Sequence, residues 1–136
     1  MGIEEILLEH NLELIPPARV DLQDQVKVGR VVNICFLKVL EKKVFVEGYV
    51  RLTVNYIGEN GLNQQVMDDV PFSCLLEHLD AVEEKSFFVS DSGIADILVE
   101  KLVNFNQDGS LAYRMHQKFL VQVCIGANKR QTIIFP

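Results

Sequence analysis

The sequence predicts an all-β protein, an antiparallel β-sandwich or flattened barrel of six to eight strands with long hairpins. Apolar and polar residues alternate over long stretches, as they do in strands with one buried face. Two turn signals, Asn60-Gly61 and Asp108-Gly109, separate such stretches at hairpin positions. Helical spacing of apolar residues is confined to short segments. Together these observations favour two packed layers of antiparallel strands.

Residues 1–26 are interpreted as an N-terminal arm that leads into a sandwich domain at 27–136. The stretch IEEILLEH has apolar residues at helical spacing, so a partly helical arm is one interpretation. Pro16–Pro17 ends any such helix and stiffens the chain. The arm is expected either to pack back on the domain or to reach a neighbouring molecule. In the second case, deletion of residues 1–15 is expected to leave a folded monomer.

From Lys27 onward the period of the apolar residues is two. A strand over 27–41 is predicted to join a second strand, 44–57, through a tight connection, and a third strand follows at 63–70. Pro71–Phe72 is expected to end the third strand, and the following SCLLEHLDAVEE shows no clean period. The face of the second strand that is predicted to be buried consists of Val44, Val46, Gly48, Val50, Leu52, Val54 and Tyr56.

The second half of the chain predicts another long hairpin. KSFFVSD is a short strand-like segment, and two longer stretches flank the turn NQDGS. A helix over 94–105 is an alternative for the first of these stretches, because Ile94, Ile97, Leu98 and Lys101 also fit a helical stripe. QTIIF, residues 131–135, is predicted to be a last short strand. The residues expected to form the core are Val46, Val50, Leu52, Val54, Phe119, Val121 and Val123.

Composition limits the partners and the compartment. The 136 residues are 49% hydrophobic and carry a net charge of −6, which argues against nucleic-acid binding. No apolar run approaches the roughly 20 residues of a membrane span. The first fifteen residues contain no Lys or Arg, unlike a secretory signal peptide. Synthesis in the cytosol without membrane insertion is therefore expected.

Catalytic and metal-binding patterns are weak. Cys74 and His78 would meet on a helix as nucleophile and base, but no third group is evident to orient them, so a covering loop is favoured. Acidic residues at 68–69, 80 and 83–84 lack the alternation and glycine of a calcium-binding loop. The sequence therefore predicts no enzyme, no metal and no cofactor.

The three cysteines match neither a disulfide framework nor a zinc site. Cys35 and Cys124 lie between apolar neighbours and are predicted to be buried, reduced thiols. Cys74 is predicted to lie in a loop, where it is the candidate for a cross-link between subunits.

Several short elements resemble the SPOCS domain, which occurs in spore-coat morphogenesis proteins of endospore-forming bacteria. The similar elements are Val44-x-Val46-x-Gly48, Tyr56, Val70-Pro71-Phe72 and Asp108-Gly109. The resemblance spans about residues 27–126, in one copy and without a LysM-like segment. Glu83–Glu84–Lys85 replace a glycine that is common in the family. No catalytic residues are implied.

The resemblance implies a structural or scaffold protein, made in the mother cell and deposited on the spore surface or coat. Its partners would be copies of itself and other spore-coat proteins, reached through sheet edges that pair with another chain. The predicted contact residues are Ile3, Ile6, Leu7, Leu12, Leu14, Ile15, Pro16, Pro17, Thr132, Ile133, Ile134 and Phe135. The alternative is a binding module whose interior pocket is lined by Tyr56, Phe72, Phe88 and Phe119.

Overall fold

Two antiparallel three-stranded sheets make up the fold, which confirms the predicted all-β class. The computed structural model describes residues 2–78, 81 and 86–127. Sheet I has the strand order β1-β6-β5, and sheet II has the order β2-β3-β4. The strands are β1 (Ile3–Arg19), β2 (Lys27–Leu40), β3 (Lys43–Ile57), β4 (Asn63–Glu77), β5 (Phe87–Phe105) and β6 (Leu111–Ala127). A 3₁₀ helix, Val20–Gln25, leads from sheet I to sheet II.

The central strands β3 and β6 supply the core. Every second residue of β3 is buried, as its alternation predicts. The predicted core residues Val46, Val50, Leu52, Val54, Phe119, Val121 and Val123 are all fully buried. Gly48 is required in β3 because a Cβ there would collide with the carbonyl oxygen of Asn33.

The N-terminal segment is a strand of sheet I, so the helical interpretation is wrong. Residues 3–13 pair antiparallel with β6, and Leu12 and Leu14 of β1 are buried in the core. An isolated helix of under ten residues is marginal in water, whereas the strand gains a hydrogen-bonded neighbour and a core. The segment interpreted as an arm thus contributes the strand β1 to the sandwich. The alternative in which this segment packs back is the one observed.

Strand β4 continues through Pro71 to Glu77, so the predicted end of this strand at Pro71–Phe72 is wrong. β4 lies at the edge of sheet II, and among the described strands only β3 pairs with it. An edge strand tolerates proline for this reason. Cys74 and Leu75 therefore lie on a strand, not in the predicted loop.

Strand β5 is one continuous strand with three register shifts, and the helical alternative is wrong. Ile94, Ile97 and Glu100 pair with successive inward positions of β6 although they are three residues apart. Each bulge adds a residue, and the resulting spacing imitates a helical stripe. The predicted strand at 131–135 lies outside the described residues.

Candidate interaction surface

An apolar patch lies on the outer face of sheet II, and we call Phe36, Phe45 and Leu75 the sheet II patch. The register places Leu75 beside Phe45, and the ring centroids of Phe36 and Phe45 are 6.1 Å apart in an edge-to-face arrangement. Phe36 is 47% exposed and Leu75 is 45% exposed. Three large apolar side chains from three adjacent strands thus form one contiguous surface.

The patch exists because β2 carries a bulge. The register between β2 and β3 shifts between Ile34 and Phe36, with Cys35 as the extra residue. Ile34 faces the core opposite Gly48, whereas Phe36 pairs with the outward Glu47. A bulge of one residue reverses the side on which the following residues lie. Phe36 therefore joins the outer surface instead of the core.

Four exposed charged residues surround the sheet II patch, two of each sign. They are Lys38, Lys43, Glu47 and Glu77. Lys38 pairs in register with Phe45, and Lys43 pairs with Glu77. Within the described residues, none of the four takes part in an ion pair. The local charge is therefore zero, in a chain whose net charge is −6.

Beyond Tyr49, the outer face of sheet II carries a charged pair beside the exposed side chains of Val31 and Met67. Arg51 donates two hydrogen bonds to Asp69, at 2.9 and 3.0 Å, and its guanidinium lies 5.6 Å from the centre of the Tyr49 ring. The hydrogen bond from Arg51 lowers the pKa of the Asp69 carboxyl. Both groups are well exposed, so their contribution to stability is small. This end of the face has its charges already paired.

The outer face of sheet I carries charged pairs beside exposed apolar side chains, which at one end include Ile15 and Tyr113. Glu9 lies 3.1 Å from His116, and Glu13 lies 3.3 Å from Arg114. At the other end, Ile3 and Leu7 are 58% and 54% exposed. Exposed apolar side chains thus lie on both sides of the charged pairs of sheet I.

The predicted contact residues of β1 fall on different sides of the sheet. Leu12 and Leu14 are core residues, so their assignment as contacts is wrong. The alternation of the strand turns these even-numbered positions inward. Ile3, Leu7 and Ile15 are exposed, whereas Ile6, Pro16 and Pro17 are half-buried. Thr132–Phe135 lie outside the described residues.

A buried polar cluster joins the two sheets at the side where β2 lies near β5. The Nη2 atom of Arg30 donates to Glu100 Oε1 at 2.7 Å and to Gln117 Oε1 at 3.0 Å. The Arg30 guanidinium also lies 5.2 Å from the centre of the Phe119 ring. The one sequence signal for this cluster is Gln117, which interrupts the apolar face of β6. Because no strand ladder joins β2 to β5 in the described residues, the cluster fixes these two edges relative to each other.

The cysteines are free thiols in environments that differ from those predicted. Cys35 is exposed at the bulge of β2, where it was expected to be buried. Cys74 is half-buried on β4, and burial, followed by the charge of Glu4, raises its pKa to about 11. Cys124 is half-buried on β6, where its sulfur accepts a hydrogen bond from Gln122. No pair of these sulfurs forms a disulfide.

The Cys74–His78 dyad does not form. Cys74 lies on a strand, so residues four apart are separated by roughly 13 Å. The His78 ring lies against Phe87, with 5.0 Å between the ring centres. The helix that would bring the thiol and the imidazole together is not present in this segment, because residues 63–77 are extended.

The other candidate sites are also not assembled. Among the described residues, no three His, Cys, Asp or Glu side chains are grouped to hold a metal ion. Asp68 accepts a hydrogen bond from His10 at 2.8 Å, whereas positions 80, 83 and 84 lie outside the described residues. Of the four predicted pocket residues, Phe72 and Phe119 share one core cluster and Tyr56 belongs to another. Phe88 is 43% exposed, so these rings do not line one pocket.

No family model, curated protein or solved structure matches the chain. Among the described residues, no helix has the length and apolar character needed to cross a membrane.

Proposed function

We propose that this protein is a non-enzymatic structural protein of the bacterial spore coat or envelope. It works through contacts with copies of itself and with other coat proteins, after synthesis in the cytosol of the mother cell. The resemblance to SPOCS domains supports the location. The sheet II patch is the observation that carries the mode of action, because contiguous exposed apolar surface marks contact sites.

Contacts through sheet faces are favoured over contacts through sheet edges. β4 has Pro71 in its edge, β5 has three register shifts, and β2 has the bulge at Cys35. β1 is irregular between Glu13 and Ala18, where it carries its two prolines. Proline and bulges are devices that prevent strands from pairing edge to edge. The predicted strand addition at an edge is thus replaced by packing of one face on another.

The size of the patch predicts weak individual contacts. Fully burying a large apolar side chain contributes about 1.5–3 kcal/mol, so the exposed halves of Phe36 and Leu75 contribute about 1 kcal/mol each. Association costs at least about 4 kcal/mol in lost freedom of motion. A single patch therefore supports a weak contact, and repeated contacts in an assembly supply the rest.

The first prediction tests self-association. In sedimentation velocity between about 10 µM and 1 mM, the wild-type protein should associate with increasing concentration, and the association should be weak. Phe36→Ser should weaken the association at least about tenfold, which is 1.4 kcal/mol. Phe105→Ser is the matched control, because Phe105 is 52% exposed but lies on sheet I.

A wild-type protein that stays monomeric at 1 mM would refute self-association. An equal loss in both variants would refute the role of the patch. The location is tested with a tagged copy in a sporulating endospore-forming host, by immunoblots of coat extracts. Recovery of the tagged protein only in the soluble cell fraction would refute the spore-coat assignment.

A further inference from the structure

We propose that the sheet II patch binds a second copy of this chain face to face, about a two-fold axis that crosses the strands near Phe45. This inference rests on the proposed self-association and adds the orientation of the partner. It follows from the order of three outward residues on β3, which are Lys43, Phe45 and Glu47.

The segment Lys43-Val44-Phe45-Val46-Glu47 is complementary in charge to a second copy of itself that runs in the opposite direction. Lys43, Phe45 and Glu47 alternate with the buried Val44 and Val46, so the three outward side chains follow one another at steps of roughly 6.6 Å. A base lies on one side of the phenylalanine and an acid on the other. An antiparallel copy presents the same series in the opposite order.

Two sheets that pack face to face lie about 10 Å apart, with strand directions within about 30° of each other. With the strands antiparallel, the two-fold axis places Lys43 of each copy against Glu47 of the other. Phe45 then meets its own copy at the axis, as an isologous interface requires. With the strands parallel, Lys43 would face Lys43 and Glu47 would face Glu47. Like-charge contacts of this kind disfavour the parallel arrangement.

The balance of charge also selects the partner. A strongly acidic or basic partner is recognised by a surface of the opposite sign. The sheet II patch is instead surrounded by two bases, Lys38 and Lys43, and two acids, Glu47 and Glu77. Lys38 lies on β2 beside Phe45, so the two-fold axis brings it close to Lys38 of the second copy. Because Lys38 is exposed at the edge of the sheet, its long side chain can turn to solvent. A second copy satisfies Lys43 and Glu47 together, which a partner of one sign cannot do.

The interface is small. Three rows of outward residues across three strands cover roughly 300 Å² per copy, from the strand spacing and the rise per residue. Stable interfaces cover about 800 Å² per partner. The dimer should therefore dissociate readily, and its charge pairs should determine the arrangement more than the affinity.

The second prediction is a charge exchange measured by sedimentation equilibrium at low salt. Lys43→Glu and Glu47→Lys should each weaken the dimer about tenfold or more, because each creates two symmetry-related like-charge contacts. The double variant Lys43→Glu/Glu47→Lys should return the dissociation constant to within about threefold of wild type, because it restores both pairs with the signs exchanged. Lys101→Glu, an equal charge change at an exposed position of sheet I, should leave the constant within the same threefold range. Equal urea midpoints would verify that the variants fold.

These measurements distinguish a failure of the proposed self-association from a failure of the two-fold orientation. If the wild type does not self-associate, both the proposed function and this inference fail. If it does associate and Phe36→Ser weakens it, single charge variants without effect would overturn the two-fold orientation and leave the function standing. A double variant as weak as the singles would overturn the orientation too.

Discussion

At the scale of single residues, the position of a thiol decides its chemistry. Cys74 is half-buried, and its pKa is raised to about 11 by burial first and by Glu4 second. The thiolate is the nucleophile, so at pH 8 only about one Cys74 in a thousand is reactive. Cys35 is exposed at a bulge. The predicted cross-linking role of Cys74 is therefore disfavoured, and Cys35 is better placed to react.

The third prediction is an order of alkylation. With iodoacetamide at pH 8, peptide mass spectrometry should find Cys35 modified first and Cys74 last. Because the raised pKa keeps Cys74 protonated, its rate should increase about tenfold for each pH unit until the pH approaches 11. Denatured protein is the control, in which the three rates should become similar. Modification of Cys74 before Cys35 in the folded protein would contradict the assigned environments.

Arg30 shows how one side chain can link two elements. A buried charge is costly unless it is paired, and Arg30 is paired with Glu100 and hydrogen-bonded to Gln117. Among the described residues, the Nε of Arg30 and the Nε2 of Gln117 have no hydrogen-bond partner. The cluster therefore holds β2 against β5 at some cost in stability, and well-packed apolar residues would be the more stable choice.

At the scale of elements, β1 changes from an appendage to a component of the core. The carbonyl of Pro16 accepts a hydrogen bond of 2.6 Å from the Tyr56 hydroxyl, which connects β1 to β3. Ala18 forms a further bridge to Gly58. Removal of residues 1–15 would leave residues 114–124 of β6 without their neighbouring strand on this side. Deletion of residues 1–15 is therefore expected to abolish cooperative unfolding, in contrast to the folded monomer expected of a free arm.

The fourth prediction tests this difference with single substitutions. Leu14→Ala should lower the free energy of unfolding by about 2–5 kcal/mol, because Leu14 is 1% exposed in the core. Leu7→Ala, on the other face of the same strand, should change it by no more than about 0.5 kcal/mol. Urea denaturation measures both. Similar small effects at both positions would mean that β1 is an appendage after all.

At the scale of the whole molecule, a scaffold requires two different contact surfaces. A two-fold dimer through sheet II uses one surface and closes, so growth beyond it requires another. Ile3 and Leu7 lie on sheet I, at the opposite face of the sandwich. These two residues are the remaining exposed candidates from the regular part of β1, and we propose them as the second contact.

The fifth prediction concerns assemblies larger than a dimer. Leu7→Lys should remove them and leave the dimer, because it places a charge in the second contact only. Leu98→Lys is the matched control, since Leu98 is 49% exposed elsewhere on sheet I. Negative-stain microscopy and sedimentation velocity at 1 mM measure the distribution. Loss of the dimer in Leu7→Lys would show that the two surfaces are not independent.

The sequence by itself determined the all-β class and the buried face of β3. Strand alternation is a local property, and Val46, Val50, Leu52 and Val54 follow it without interruption. The turn signals at Asn60-Gly61 and Asp108-Gly109 are local too, and each separates two antiparallel strands. Where pattern and turn agree within one element, no knowledge of its neighbours is needed.

Only the tertiary structure decided the interaction surface. Strict alternation along β2 would place Phe36 on the same inward face as Ile34. The bulge at Cys35 instead turns Phe36 to the outer face. Leu75 lies on a strand only because β4, at an edge, continues past Pro71. Bulges and edge positions depend on which strand lies alongside, and pairing between distant segments is not written in the period of either one. The alternation of apolar residues along single strands therefore predicted the core residues. The pairing with neighbouring strands decided which apolar residues remained outside the core.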